Sequence, residues 1–292
     1  MIKINILKPI GFCFGVENAI DIAIKSHEEH NNIYVFGMLV HNENVIDDLS
    51  KKGIKTINTS SLTEENKIEV LNSFKESDFI IFTAHGTQNK YKEILDKNNV
   101  KYIDTICPIV KMNHDNIIKD LSLNKTVIFI GISNHPETIS TMSLSNNNIF
   151  LYDIRKPFNY DLIVNKNIEI FSQTTLSEFI VKPICDDIIK HFPNAHMNKS
   201  LCNNTTIRQN NILKDKTNPD LVIIVGSKFS SNTTELYNLA IKKYKDCKVI
   251  MINSVKELVS FDFKNIKIVT ISSGTSTNKT LVDSIIKFIE SK

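Results

Sequence analysis

IKINILKPIGFCFGVENAIDIAI, residues 2–24, contains a strand, a break and a helix in that order. Ile2, Ile4 and Ile6 alternate as one face of a half-buried strand does, Pro9 interrupts the run, and Val16, Ala19, Ile20, Ala23 and Ile24 then recur at helical spacing. Cys13 therefore falls in the strand-to-helix turn, between Gly11 and Gly15, two of only eight glycines in 292 residues. Glycine tolerates backbone angles that other residues avoid and allows close approach of a ligand, while a helix N-terminus favours a thiolate over a thiol. The turn suits a reactive or metal-binding cysteine. A small residue buried in a tight turn is the plainer alternative.

The same grammar continues along the chain. NIYVFGMLV (32–40), DFIIFTA (78–84), TVIFIGI (126–132), IEIFSQ (168–173), DLVIIVGS (220–227) and IKIVTIS (266–272) read as strands, and helical segments separate most of them. Strands alternating with helices imply βαβ units and parallel sheets. Each strand runs into a polar cluster: His41-Asn42, His85-Gly86, His135-Pro136-Glu137, Thr174-Thr175, Ser230-Ser231-Asn232 and Ser272-Ser273-Gly274-Thr275-Ser276. The carboxyl ends of parallel strands are where such sheets bind ligands.

Spacing then reveals a repeat. Cys13, Cys107 and Cys202 lie 94 and 95 residues apart, and His41, His135 and Ser230 each lie 28 residues beyond their cysteine. Cys107 follows KYIDT, which reads as a further strand, and precedes Pro108, a favoured first helical residue; Cys202 precedes the cap-forming run Asn203-Asn204-Thr205-Thr206. The expectation is an α/β protein of three similar small domains, 14–106, 107–200 and 201–282, with 1–13 as an N-terminal strand and cluster-ligand turn. A pseudo-threefold packing would direct three cysteines and six polar strand ends towards one centre. Cys185 and Cys247 stand outside the repeat and are expected to be structural.

Composition narrows the class. No apolar run approaches the ~20 residues of a membrane span, and the N-terminus enters directly into a strand, so neither membrane nor signal peptide is expected. A net charge of +3 with scattered lysines is too mild for nucleic-acid binding. Five widely spread cysteines point to reduced thiols in the cytoplasm rather than a disulfide framework.

Three thiolates without any CxxC pair suit a site assembled from separate units. On spacing alone, zinc and an iron-sulfur cluster compete: three cysteines leave one iron of a [4Fe-4S] cluster open to substrate, whereas zinc would want a further ligand. His41, His85 and His135, with Ser230, Asn232 and Ser276, are donors at strand ends beside helix N-termini, which is how proteins cradle phosphate. Ser230 or Asn232 taken singly reads equally as a helix cap. Glu137, two residues beyond His135, could hold and deliver a proton if buried near a hydroxyl such as Thr174, or could simply favour its helix dipole.

GFCFGV, VHN, AHG, TICP, HPE, QTTLS, LCNNTTIRQ, GSKFSSN and SSGTS, in this order, resemble the 4-hydroxy-3-methylbut-2-enyl diphosphate reductases of the methylerythritol phosphate route to isoprenoids. The resemblance implies three α/β domains in a pseudo-threefold, trefoil-like arrangement around a central metal cluster, one [4Fe-4S] cluster bound by Cys13, Cys107 and Cys202. It also implies a diphosphate held by His41, His85, Ser230, Ser231, Asn232 and Ser276, with His135 in the substrate pocket. Glu137 would donate or relay the proton, Thr174 would orient Glu137 and the substrate hydroxyl, and two electrons and protons would remove that hydroxyl as water. The electrons would come from a ferredoxin or flavodoxin. Asn203, Phe229 and Asn278 depart from the family pattern without removing any implied ligand. The rival readings are a zinc hydrolase, for which the chain lacks an HExxH cluster, and an iron-sulfur sensor, which has little use for a proton donor.

Overall fold

A computed structural model of the chain describes residues 2–145 and 147–292. The chain opens with β1 (Lys3–Ile6) and α1 (Phe14–Glu29). It continues through β2 (Asn32–Phe36), α2 (Glu43–Lys51), β3 (Lys55–Ile57), α3 (Glu64–Ser73), β4 (Asp78–Phe82), α4 (Asn89–Lys97) and β5 (Lys101–Asp104). A second run holds α5 (Pro108–Ser122), β6 (Thr126–Gly131), α6 (Pro136–Met142), β7 (Ile149–Asp153), β8 (Ile168–Ser172), α7 (Glu178–His191) and β9 (His196–Met197). The last comprises α8 (Asn203–Lys214), β10 (Leu221–Val225), α9 (Ser231–Lys243), β11 (Lys248–Ile252), β12 (Ile268–Ser273) and α10 (Lys279–Glu290).

These strands make three four-stranded parallel sheets, β3-β2-β4-β5, β7-β6-β8-β9 and β11-β10-β12-β1. All three share one order. The fourth place in the last sheet, filled in the others by the next strand in sequence, is taken by β1 from the start of the chain. Cys13, Cys107 and Cys202 each follow the fourth-place strand of a sheet, namely β1, β5 and β9. The equal spacing of the cysteines is thus a property of the topology.

Contacts divide the chain into two compact units, one of Met1–Val16, His41–Val45 and Cys202–Lys292, the other of Glu17–Val40 and Ile46–Leu201. The first contains the sheet that ends in β1. On β10, Leu221, Ile223 and Val225 pack with Val282, Ile285 and Ile289 of α10, while Val222 and Ile224 pack with Ile212 of α8 and with Leu236 and Ala240 of α9. Alternate side chains therefore enter two separate cores, and both faces of the strand are dry. The second unit contains the other two sheets. Ile128, Ile130, Ile168 and Ile170 pack with Val181 and Ile188 of α7, Val127, Phe129 and Phe171 with Ile117 of α5, and Ile80 and Phe82 with Leu71 of α3 and Leu95 of α4. Among the described residues, no helix is long and apolar enough to cross a membrane.

One strand is shorter than its apolar run. The run 32–40 leaves the sheet at Gly37, whose φ of +103° turns the chain, so Leu39 and Val40 are buried outside the strand. The closest backbone approach occurs after β12. A Cβ placed on Gly274 would stand 2.0 Å from Oγ1 of Thr233, a fully buried hydroxyl without a hydrogen bond. Gly274→Ala is expected to cost about 1–3 kcal/mol through overpacking, and Thr233→Ala in the same chain to recover part of that loss. Urea unfolding of the two single variants and the double variant measures the coupling. Additive losses would refute this contact as the cause.

Candidate functional site

In the unit that carries β1, the turn after that strand is built by Gly11, whose φ of +87° is accessible to glycine at little cost. Gly15 behaves differently from the sequence expectation. It lies in the first turn of α1 with no unusual angle, and the backbone amides of Gly15 and Val16 are directed at the Cys13 sulfur. The Cys13 amide donates to Thr275 O at 2.9 Å, which ties the cysteine turn to the segment after β12. Burial pushes the Cys13 thiol up, the helix amides oppose that shift, and Cys202 lies near enough to raise it further. Cys202 is the N-cap residue of α8, and both sulfur-bearing residues remain partly exposed.

Arg208, on α8, lies within electrostatic reach of these two cysteines. Its Nη1 donates to Ser273 O at 2.7 Å and Ser273 Oγ at 3.1 Å, and its Nη2 donates to Gly11 O at 2.7 Å. Burial lowers the guanidinium to about 10, which still leaves it charged at neutral pH.

The same unit gathers His41, Ser230, Asn232 and Ser276. Ser276 Oγ donates to His41 O at 3.4 Å, and Ser276 O accepts from Asn42 Nδ2 at 2.7 Å. The His41 ring is hydrogen-bonded to the Phe229 backbone, next to Ser230, and burial lowers its pKa so that the imidazole is neutral at pH 7. Ser230 is the N-cap of α9, its Oγ accepting from Thr233 N at 3.3 Å, and Ser231 is the first residue of that helix. Asn232 is 1% exposed and is also tied inward: Nδ2 donates to Thr205 Oγ1 at 3.2 Å and Oδ1 accepts from Thr275 N at 2.9 Å. It pins the start of α9 to α8 and to the segment that holds Cys13.

The second unit gathers Cys107, His85, His135, Glu137 and Thr174. Cys107 is the residue at the N-cap position of α5, followed by Pro108, and its amide donates to Ala84 O at 2.9 Å, beside His85. Gly86 has a φ of +85° and meets Ser140 of α6 so closely that an added Cβ would lie 2.6 Å from the hydroxyl. The two strand ends are thereby drawn together, with the His85 and His135 rings edge to face at 5.7 Å. His135 caps α6 through Nδ1, which accepts from Glu137 N at 3.2 Å; in the neutral ring this leaves the proton on Nε2. Glu137 is 2% exposed, and Thr174 holds both carboxylate oxygens, N to Oε1 at 2.8 Å and Oγ1 to Oε2 at 2.9 Å. Burial raises the carboxyl to about 7, against the two Thr174 bonds that favour the ionised form.

Two buried groups near these residues had escaped the sequence reading. Arg208 carries a helical-face signal only, six residues beyond Cys202. His114, on α5, bonds Thr141 Oγ1 through Nε2 at 3.0 Å, and burial holds its pKa down at about 4, so it is a neutral pin between α5 and α6. The two cysteines outside the repeat behave as structural residues. Cys185 packs in the α7 core, its thiol pushed up to about 11 by burial, and Cys247 donates to Lys248 O. Among the described residues, none forms a disulfide, and no three His, Cys, Asp or Glu side chains gather closely enough to hold a single metal ion.

Comparison with known proteins places the chain in a family. A family model described as LytB protein matches residues 4–290. A 4-hydroxy-3-methylbut-2-enyl diphosphate reductase from Lysinibacillus sphaericus (strain C3-41) is 29% identical over 99% of this chain and 88% of that protein. One from Malacoplasma penetrans (strain HF-2) is 30% identical over 99% of this chain and 98% of that protein. The solved E-1-hydroxy-2-methyl-but-2-enyl-4-diphosphate reductase of Plasmodium falciparum matches with a TM-score of 0.85 and 27% identity, over 98% of this chain and 87% of that one. A solved (E)-4-hydroxy-3-methyl-but-2-enyl diphosphate reductase, described as the terminal enzyme of the non-mevalonate pathway, matches with a TM-score of 0.70 and 28% identity over 100% of both chains.

The raised Glu137 value has a consequence for stability. Because the folded carboxyl prefers its neutral form, the fold loses stability as pH rises from the ordinary value of 4.5 through about 7, and no more above that. The loss is on the order of 3 kcal/mol. Glu137→Gln removes this contribution, so its unfolding free energy should gain on the wild type between pH 4.5 and 8. Urea titrations at a series of pH values test this, and parallel slopes for the two proteins would refute it.

Proposed function

The chain belongs to the LytB protein family, and on that premise we propose that it reduces (E)-4-hydroxy-3-methylbut-2-enyl diphosphate to isopentenyl and dimethylallyl diphosphates. The structural observation that carries the reading is Glu137, a carboxyl buried, doubly bonded by Thr174 and held as an acid near neutral pH. A group so placed can hold a proton near neutral pH and deliver it.

The residues present fit one [4Fe-4S] cluster per chain held by Cys13, Cys107 and Cys202. All three cysteines directly precede a helix in the turn after a sheet's fourth strand, and the two that share a unit lie beside a buried guanidinium that lacks a carboxylate. That surrounding suits anionic sulfur. Bound there, a cluster with three cysteine ligands supplies electrons and an iron with an open position.

The conversion takes up two electrons and two protons: one proton leaves with the hydroxyl as water, and the other ends on carbon. Glu137 holds the proton for the leaving hydroxyl, and Thr174, through its hydroxyl and amide, fixes the direction in which the carboxyl presents it. The diphosphate is bound by His41, His85, Ser230, Ser231, Asn232 and Ser276, with His135 beside it. The His41 imidazole, neutral at pH 7, contributes an N–H donor, and the first turn of α9 contributes amides and a favourable dipole. Fixing the diphosphate at one end positions the hydroxyl at the other, so binding energy is spent on orientation. A ferredoxin or flavodoxin supplies the electrons.

Two experiments test the reading. Glu137→Gln keeps the shape and loses the titratable proton; it should lower kcat by about 100-fold or more while cluster content and substrate affinity persist. Near-normal turnover would remove Glu137 from the mechanism. Iron and acid-labile sulfide, measured after purification without oxygen, should fall in Cys13→Ser, Cys107→Ser and Cys202→Ser but not in Cys185→Ser or Cys247→Ser. Equal loss in all five would refute the three-ligand assignment, and zinc without sulfide in the wild type would refute the cluster.

A further inference from the structure

Only two of the 35 basic residues in this chain are arginines. Arg155 is half exposed and paired with Asp153. Arg208 is 1% exposed and paired with no carboxylate among the described residues: its bonds go to the carbonyls of Gly11, Ser273 and Gly274 and to the Ser273 hydroxyl. Its Nε is buried without any partner. Removing a guanidinium from water is costly, and carbonyl dipoles with one hydroxyl offset that cost incompletely. The acidic groups whose charge reaches it are Cys13 and Cys202. Two neutral thiols do not balance a buried cation. Two thiolates bound to iron do.

We infer that Arg208 is the fixed counter-charge of the iron-sulfur site, an inference that rests on the cluster proposed above. Three thiolates on an oxidised four-iron core leave a net negative charge, which one added electron doubles. A cation held nearby therefore stabilises the reduced form more than the oxidised one and raises the reduction potential. The guanidinium fork matters as well. Nη2 holds the carbonyl of Gly11, two residues before Cys13, and Nη1 holds that of Ser273, two residues before the Thr275 carbonyl that receives the Cys13 amide. One planar group thus spans both segments that fix the cysteine turn, which a lysine ammonium reaches less completely. Arg208 is a positioning and charge-setting residue, not a catalytic one.

The test compares Arg208→Lys, which keeps the charge and loses the fork, with Arg208→Gln, which loses the charge. Each full-length protein is purified without oxygen, assayed for iron and sulfide, and titrated redox-wise with the reduced cluster read by electron paramagnetic resonance. Thermal melts of the metal-free proteins report the fold. At the wild-type midpoint, the reduced-to-oxidised ratio in Arg208→Gln should fall about tenfold, a shift of about 59 mV for a one-electron couple, while Arg208→Lys stays within about threefold. Loss of the cluster from a folded Gln variant that the Lys variant retains would support the inference equally. Equal behaviour of the two variants would overturn it, as would a Gln variant that fails to fold even without iron, because Arg208 would then be a structural tie alone. Wild-type protein without iron and sulfide overturns the cluster and this inference together, whereas a loaded wild type with indistinguishable variants overturns only the inference.

Discussion

The two middle strands of each sheet are covered on both faces, and the placement of the polar residues that follow these strands depends on that. Along β10, five consecutive apolar side chains enter two cores by turns, leaving no position for a polar group without loss of burial. Chemistry is confined to the ends of the strands. At the carboxyl ends, successive βα turns bring helix N-termini, whose first amides need partners. Polar residues at these positions are required by the backbone before any ligand is considered.

The candidate site is built out of that requirement. Ser230 satisfies an α9 amide, the His135 ring satisfies an α6 amide, and Asn232 satisfies the amide of Thr275. Capping also orients. A ring whose Nδ1 is occupied by an amide can present only Nε2 to another partner, so the cap on α6 fixes both the direction and the tautomer of His135. Helix cap and proposed ligand-binding residue are therefore one role seen from two sides, and removing such a side chain disturbs the helix start together with the candidate site.

The six strands read from apolar runs are β2, β4, β6, β8, β10 and β12, the central pair of every sheet. Double-sided burial writes itself into sequence as an uninterrupted apolar run, and these are the runs that stand out. The strands that escaped, β3, β7, β9 and β11, are all edges, short or partly exposed. β1 and β5, also edges, were legible because each leads into a cysteine turn. Gly11 is a left-handed turn residue as its neighbourhood suggests, but Gly15 is helical, since one glycine suffices to reverse the chain and the next must donate its amide. The pairing of Glu137 with Thr174 was readable because each lies at the end of a central strand. Arg208 was not, because a buried cation looks like any surface arginine until the groups around it are known.

Glu137 and Arg208 show why burial alone does not determine charge. Each is almost wholly removed from water. The carboxyl begins at 4.5 and rises to about 7, so near neutral pH it can escape the cost of a buried charge by binding a proton. The guanidinium begins far more basic, and the same physical effect lowers it only to about 10, where proton loss still offers no escape at neutral pH. A buried acid can stay neutral, and that makes it a store of protons. A buried arginine stays charged, so its neighbours must supply the anion. Near Arg208 the groups able to do so are thiols, whose ordinary values are too high for them to serve as anions unaided, and coordination to a metal removes their protons outright. The cation thus calls for the thiolate charge that the proposed cluster would fix at Cys13 and Cys202.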